Sequence, residues 1–270
     1  MPDSRRFAPE TAAGLIATAH ELADAARRVT LEYFRRPDLT ADTKETARFD
    51  PVTEADRGAE REMREILARR RPDDAILGEE FGPTPGTSGL TWVLDPVDGT
   101  RGFLTGTPTW GVLIALSDEN GPLYGLIDQP HIGERFEGGL GLARVTGPRG
   151  EAALACRPGR ALSDAFLFST FPEIGTPGDA RAFARVAERV KLVRYGLDCY
   201  AYALLAAGQI DLVIEAGLQA YDIQAPMAVI RAAGGIVTDW QGGDCAQGGR
   251  AIAAANAEVH AAALDLLAGS

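Results

Sequence analysis

The sequence predicts a mixed fold in two halves, α+β followed by α/β. Three observations carry that expectation: a long amphipathic helical pattern at the start, short apolar runs cut by Gly, Pro and Asn in the middle, and alternation of strand-like and helix-like segments after about Val145. No low-complexity linker or internal repeat separates the halves. Residues 1–145 and 146–270 are therefore expected to share an interface, with the functional site between them.

Taken in order, Leu15, Ala19, Leu22, Ala26, Val29 and Tyr33 recur at helical spacing and predict a helix from Pro9 to about Arg36. Pro37 to Phe49 reads as a polar loop that includes Lys44, a solvated lysine on this reading. Asp50-Pro51-Val52-Thr53-Glu54-Ala55-Asp56 then leads into a second helix that buries Ala59, Met63, Ile66 and Leu67. Thr91–Asp95, Trp110–Leu116 and Leu123–Asp128 are strand-like runs with tight connections, so the first half should set a helix pair against a mostly antiparallel sheet. In the second half, strands are expected at 166–170, 192–195, 211–215 and 235–239. Helices are expected at 180–190, 199–207, 223–233 and 258–268. Gly147 to Gly150 and Pro172 to Gly178 are turn-rich connectors.

Composition narrows the function. The chain has 270 residues, 46% of them apolar, and a formal charge of −11, which repels phosphate backbones and argues against nucleic acid as a ligand. No apolar run approaches the roughly 20 residues a membrane helix needs. Cys156, Cys199 and Cys245 form no CxxC pair and the start of the chain is polar, so a reduced, cytoplasmic protein is expected.

The chemistry is concentrated in Asp95-Pro96-Val97-Asp98-Gly99-Thr100. It sets two carboxylates three residues apart on what reads as a tight turn, with a hydroxyl at a helix start. Gly78-Glu79-Glu80 follows a short apolar run, and Tyr221-Asp222 opens a helical segment, which brings further acids to the same centre. With only His20, His131 and His260 in the chain, an all-oxygen ligand set points to Mg²⁺ or Mn²⁺ rather than zinc or copper. Thr100 and Asp56 are the candidates for orienting and deprotonating a water. The histidines, Trp92, Trp110 and Cys199 read as turn, helix or core residues.

These motifs, in this order and over nearly the whole length, resemble the inositol monophosphatase-like, Mg²⁺-dependent phosphatases. Within that family, Gly106-Thr107-Pro108-Thr109-Trp110-Gly111, Ile127-Asp128-Gln129-Pro130 and Tyr195-Gly196-Leu197-Asp198-Cys199-Tyr200 are similar to the histidinol-phosphate phosphatase branch. Tyr221 stands where many members carry Trp. The resemblance implies a layered αβαβα sandwich, a homodimer, and a small phosphorylated metabolite as substrate. It implies two Mg²⁺ ions, with room for a third near Glu79 and with Mn²⁺ as a substitute. Glu79, Asp95 and the Val97 carbonyl would hold the first ion, while Asp95, Asp98 and Asp222 would hold the second. Gly99 and Thr100 would bind phosphate, Asp56 and Thr100 beside Glu79 would act on the attacking water, and Asp198 and Glu215 would face the organic leaving group. Histidinol phosphate is the substrate expected, ahead of inositol 1-phosphate and a 3′(2′),5′-bisphosphate nucleotide. A non-catalytic regulatory partner is the expectation from a different class.

Overall fold

The structure, a computed structural model, describes residues 7–43 and 51–269. Lys44 and Asp50 lie outside the described residues. Helix α1, Pro9–Tyr33, takes Pro at its first turn and buries the stripe Leu15, Ala19, Leu22 and Ala26. It ends three residues before Arg36 because Phe34 leaves helical geometry at ψ 126°. That turn sends the Phe34 ring against Phe103 and Trp110, at centroid distances of 5.4 and 5.2 Å. A short two-stranded pair, β1 (Asp42–Thr43) with β2 (Pro51–Val52), precedes α2, Glu54–Arg70. Thr53 caps α2 in a capping box with Asp56, and the helix buries Ala59, Met63, Ile66 and Leu67 as their spacing predicts.

The first large sheet is built from β3 (Ala75–Gly78), β4 (Gly82–Thr84), β5 (Thr91–Asp98), β6 (Gly111–Asp118), β7 (Gly121–Gln129), β8 (Glu134–Gly139), β9 (Leu142–Gly147) and β10 (Gly150–Ala153). Its order is β10-β9-β8-β7-β6-β5-β3-β4, and every pair is antiparallel except β3 with β5. The six-residue helix α3, Thr100–Thr105, lies between β5 and β6. Strand periodicity divides the side chains between two cores. Trp92, Leu94, Val112, Ile114 and Leu116 pack under α1 and α2, while Val93, Leu113 and Ala115 face the opposite way.

The second half supplies β11 (Phe166–Ser169), α4 (Pro177–Ala187), β12 (Leu192–Tyr195), α5 (Cys199–Ala206), β13 (Leu212–Gln219), α6 (Ala220–Ala232), β14 (Ile236–Thr238), β15 (Gly248–Ala254) and α7 (Ala257–Ala268). Its sheet runs β12-β11-β13-β15-β14, parallel at β12-β11-β13 and antiparallel beyond. Helices α5 and α6 lie between the sheets, because Ile223, Met227 and Val229 share one apolar cluster with Val93 and Leu113 on one side and Val213 and Ala253 on the other. The outer face of the second sheet is covered by α4 and α7 through Phe183, Val186, Val259 and Ala263. The layers are therefore α1/α2, sheet, α5/α6, sheet, α4/α7: the αβαβα sandwich. Among the described residues no helix is long and apolar enough to cross a membrane.

Candidate active site

The site begins with a strand irregularity. In β5, Asp95 pairs with Leu113 and Asp98 with Gly111, so three steps along β5 match two along β6. Residues three apart on a regular strand point to opposite faces; one extra residue restores them to the same side. Asp95 and Asp98 therefore converge. The sequence suggested a tight turn here, whereas the structure has a bulged strand end that achieves the convergence without leaving the sheet.

Two neighbouring elements add acids. Parallel pairing sets Gly78 beside Leu94, and the Glu79 amide donates to the Leu94 carbonyl at 3.1 Å, which brings Glu79 alongside Asp95. Asp222 sits in the first turn of α6, where its Oδ2 accepts from the Gln219 amide at 2.7 Å. One carboxylate oxygen each from Asp95, Asp98 and Asp222 lie within 4.8 Å of one another. Burial, followed by Glu79, Asp98 and Asp222, pushes the Asp95 pKa well above the carboxylate range. Asp98 is raised as well, by burial and then by Asp198 and Asp222. A concave cluster of oxygens whose charges oppose one another fits a hard divalent cation, since positive charge at its centre removes the repulsion. The Val97 carbonyl lines the same cavity and already accepts from Thr100 Oγ1 at 3.1 Å.

Asp56 is 1% exposed and accepts from the Thr53 amide at 2.9 Å and from the Thr53 hydroxyl. Burial outweighs these bonds and lifts its pKa to about 6, with Glu79 contributing in the same direction. Because the Thr100 proton is directed at Val97, the Thr100 oxygen is left to act as an acceptor. Each of the two is thus tied into its own motif.

The second half closes the cavity. The Cys199 amide at the start of α5 donates to Asp98 Oδ2 at 2.6 Å, a bond between the halves. Asp198 just before it has φ 47°, an uncommon conformation for a residue with a side chain. Its carboxylate rests against the turn leading into α3. A Cβ on Gly99 would stand 2.8 Å from it, so glycine there makes room, while one on Gly102 would meet it at an ordinary 3.5 Å. Burial raises Asp198 to about 6, opposed by the Arg101 charge. Glu215, in β13, is 6% exposed and accepts from the Thr170 amide at 2.6 Å and the Thr170 hydroxyl at 2.9 Å. Burial still raises it to about 8.

Of the site residues expected from sequence, Glu79, Asp95, Val97, Asp98, Gly99, Thr100, Asp198, Glu215 and Asp222 line one cavity of about 670 Å³, and Asp56 does not. Its walls also contain Arg101, Phe171 and Arg250, which the sequence did not single out. Arg101 follows Thr100 directly, a signal that was legible. Phe171 lies in the loop after β11, and Arg250 is on β15, which looked like no element at all. His20 also proves less incidental than its helical setting suggested: Nε2 lies 2.9 Å from the buried Glu137. Trp92 and Trp110 are fully buried, and burial holds the Cys199 thiol far above the range in which it ionises.

A model of the inositol monophosphatase family matches residues 12–268. The bifunctional phosphatase IMPL2, chloroplastic, of Arabidopsis thaliana is 41% identical over 262 residues, covering 93% of this chain and 74% of that protein. A histidinol-phosphatase of Mycobacterium tuberculosis is 35% identical over 235 residues, covering 86% and 90% respectively. The solved structure of an inositol monophosphatase from Zymomonas mobilis superposes with a TM-score of 0.84 at 37% identity, covering 97% of this chain and all of that one.

Proposed function

The chain belongs to the inositol monophosphatase family and is a phosphoric monoester hydrolase, and we propose that it hydrolyses L-histidinol phosphate to L-histidinol and phosphate. The observation that carries this reading is a pair of carboxylates, buried Glu215 and half-buried Asp198, on the wall beside the metal-side acids. The hydrogen-bond partners of Glu215, Ser169 and Thr170, are neutral and burial lifts its pKa to about 8, so an ammonium on the leaving group would supply the positive charge that favours its ionised form. The kinship with a histidinol-phosphatase supports the same substrate. Inositol 1-phosphate is the second reading, favoured by the likeness to the Zymomonas mobilis structure.

In this proposal Glu79, Asp95, the Val97 carbonyl, Asp98 and Asp222 hold two Mg²⁺ ions, a third being accommodated near Glu79 and Mn²⁺ able to substitute. When bound, Mg²⁺ supplies Lewis-acid stabilisation of the phosphoryl oxygens and makes water acidic enough to attack. The amides of Gly99 and Thr100 receive the phosphate. The Thr100 oxygen accepts one hydrogen bond from the attacking water and so orients it. Asp56, with its pKa near 6, takes the proton. Cys199 fixes Asp98 through its amide, which keeps the first half's acids aligned with the second half's leaving-group wall. A homodimer acting on small phosphorylated metabolites completes the reading.

Side-by-side kinetics on histidinol phosphate and inositol 1-phosphate test it. A higher kcat/KM for histidinol phosphate is expected, and a preference for inositol 1-phosphate would overturn the substrate assignment.

A further inference from the structure

The cavity that holds the acids is lined by two guanidiniums, Arg101 and Arg250. Arg250 is engaged elsewhere: its Nε lies 2.7 Å from Asp179 Oδ1 and its guanidinium is 5.6 Å from the centre of the Trp240 ring. Arg101 is placed differently. It follows Thr100 on the first turn of α3, on the side of the cavity where Asp95 and Asp98 converge. Its guanidinium carbon lies 4.7 Å from the centre of the Phe171 ring, a contact that spans from the first half to the second. The Asp198 carboxylate, which lies close to Gly99 and Gly102, the residues that bracket Thr100 and Arg101, is near enough for the Arg101 charge to lower its pKa. Stacking on Phe171 fixes where this charge sits, and Asp198 is close enough to feel it.

A charge count gives the placement a purpose. Glu79, Asp95, Asp98 and Asp222 carry four negative charges, which two divalent cations balance. Arg250 offsets Asp179, and Arg101 offsets Asp198. Without Arg101 the cavity would carry excess negative charge where a dianion must enter a protein of net charge −11. A guanidinium is also the side chain best shaped to meet two oxygens of a phosphate at once.

We propose that Arg101 is a phosphate-binding residue, a guanidinium stacked on Phe171 that receives the phosphoryl group of the substrate beside Thr100. The inference builds on the phosphatase activity but not on which organic group is esterified.

Inorganic phosphate is the probe, titrated into the full-length, Mg²⁺-loaded protein. Binding is followed both by thermal shift and by inhibition of turnover. Arg101→Met keeps the stem and much of the contact with Phe171 while removing the charge. It should weaken phosphate binding about tenfold and flatten its dependence on ionic strength, with the melting temperature in the absence of phosphate within a few degrees of the wild type. Arg101→Lys should recover part of the loss. Phosphate affinity in Arg101→Met equal to that of the wild type would overturn the proposal. So would a lowered melting temperature with phosphate affinity unchanged, which marks Arg101 as a clamp between the halves. Because the probe has no leaving group, a wrong assignment of histidinol phosphate leaves this outcome readable.

Discussion

At the scale of single residues, the leaving-group wall makes the sharpest forecast. Glu215→Gln removes the charge but preserves the shape and an oxygen acceptor for Thr170. It should lower kcat/KM for histidinol phosphate by about 10- to 100-fold and for inositol 1-phosphate by much less, the span a charge-assisted hydrogen bond covers. Equal losses in the two kinetic series would remove Glu215 from amine recognition. A second forecast concerns room rather than charge. Gly99→Ala would force a side chain into a backbone at φ 82° and against Asp198, so kcat/KM should fall more than tenfold with a stability loss of about 1–2 kcal/mol. Unchanged kinetics and melting temperature would show that the turn has space the geometry denies. The meeting of Asp95 and Asp98 was legible from sequence because short covalent spacing and flanking Gly and Pro mark them, while the approach of Asp222 from far along the chain is a property of the fold. The left-handed backbone of Asp198 was not legible either, since it depends on Asp98 drawing the Cys199 amide from a hundred residues away.

At the scale of elements, the bulge in β5 and the capping box of α2 are the two devices that aim the site. Thr53 both caps α2 and holds Asp56. Thr53→Ala should cost about 1 kcal/mol of stability by thermal unfolding. It should also raise the Asp56 pKa further, since the Thr53 bonds lower it, and so move the acidic limb of the pH–rate profile upward. A limb that stays in place would separate Asp56 from proton uptake. Helices α1 and α2 were readable because their apolar stripes are long. Strand β15 was not, as Gly248, Gly249 and its alanines have weak strand preference and it is a strand only because β13 and β14 pair with it on both sides. The glycine-punctuated β8, β9 and β10 escaped notice for a related reason: their hairpin residues obscure the alternation between them. Helix α6 begins at Ala220, just before the Tyr221-Asp222 opening read from sequence, and carries Pro226 in its interior.

At the scale of the whole molecule, burying acids between two sheets makes the metal-free protein sensitive to alkali. Burial raises Asp56 and Asp198 to about 6 and Glu215 to about 8, so the stability their neutral forms contribute is complete below about pH 4 and is lost as the pH climbs through 6 and then 8. Glu137 acts in the opposite sense. Burial alone would raise it, but bonds from His20, Tyr124 and Arg144 outweigh burial and lower it to about 2, so its contribution is present above about pH 4 and lost as the pH falls towards 2. In chelator the melting temperature should therefore peak near about pH 4–5 and decline towards about pH 8.5, and excess Mg²⁺ should raise it most at the alkaline end. A flat profile in chelator, or an equal Mg²⁺ effect at both ends, would contradict this electrostatic picture. The layer order was only partly legible: the sequence distinguished an antiparallel half from an alternating one, but the sharing of α5 and α6 between both sheets is a property of packing.

The most direct measurement is a calorimetric titration of Mg²⁺ into chelator-treated wild-type protein and Asp95→Asn, with phosphate release followed on the same samples. Saturable binding of about two ions per wild-type chain is expected, with activity rising alongside occupancy. Asp95→Asn, still folded by thermal melt, should bind at least tenfold more weakly and release no phosphate. Wild-type protein that takes up no Mg²⁺, or an Asp95→Asn variant that binds and hydrolyses as the wild type does, would contradict a metal centre built on the acids of β5.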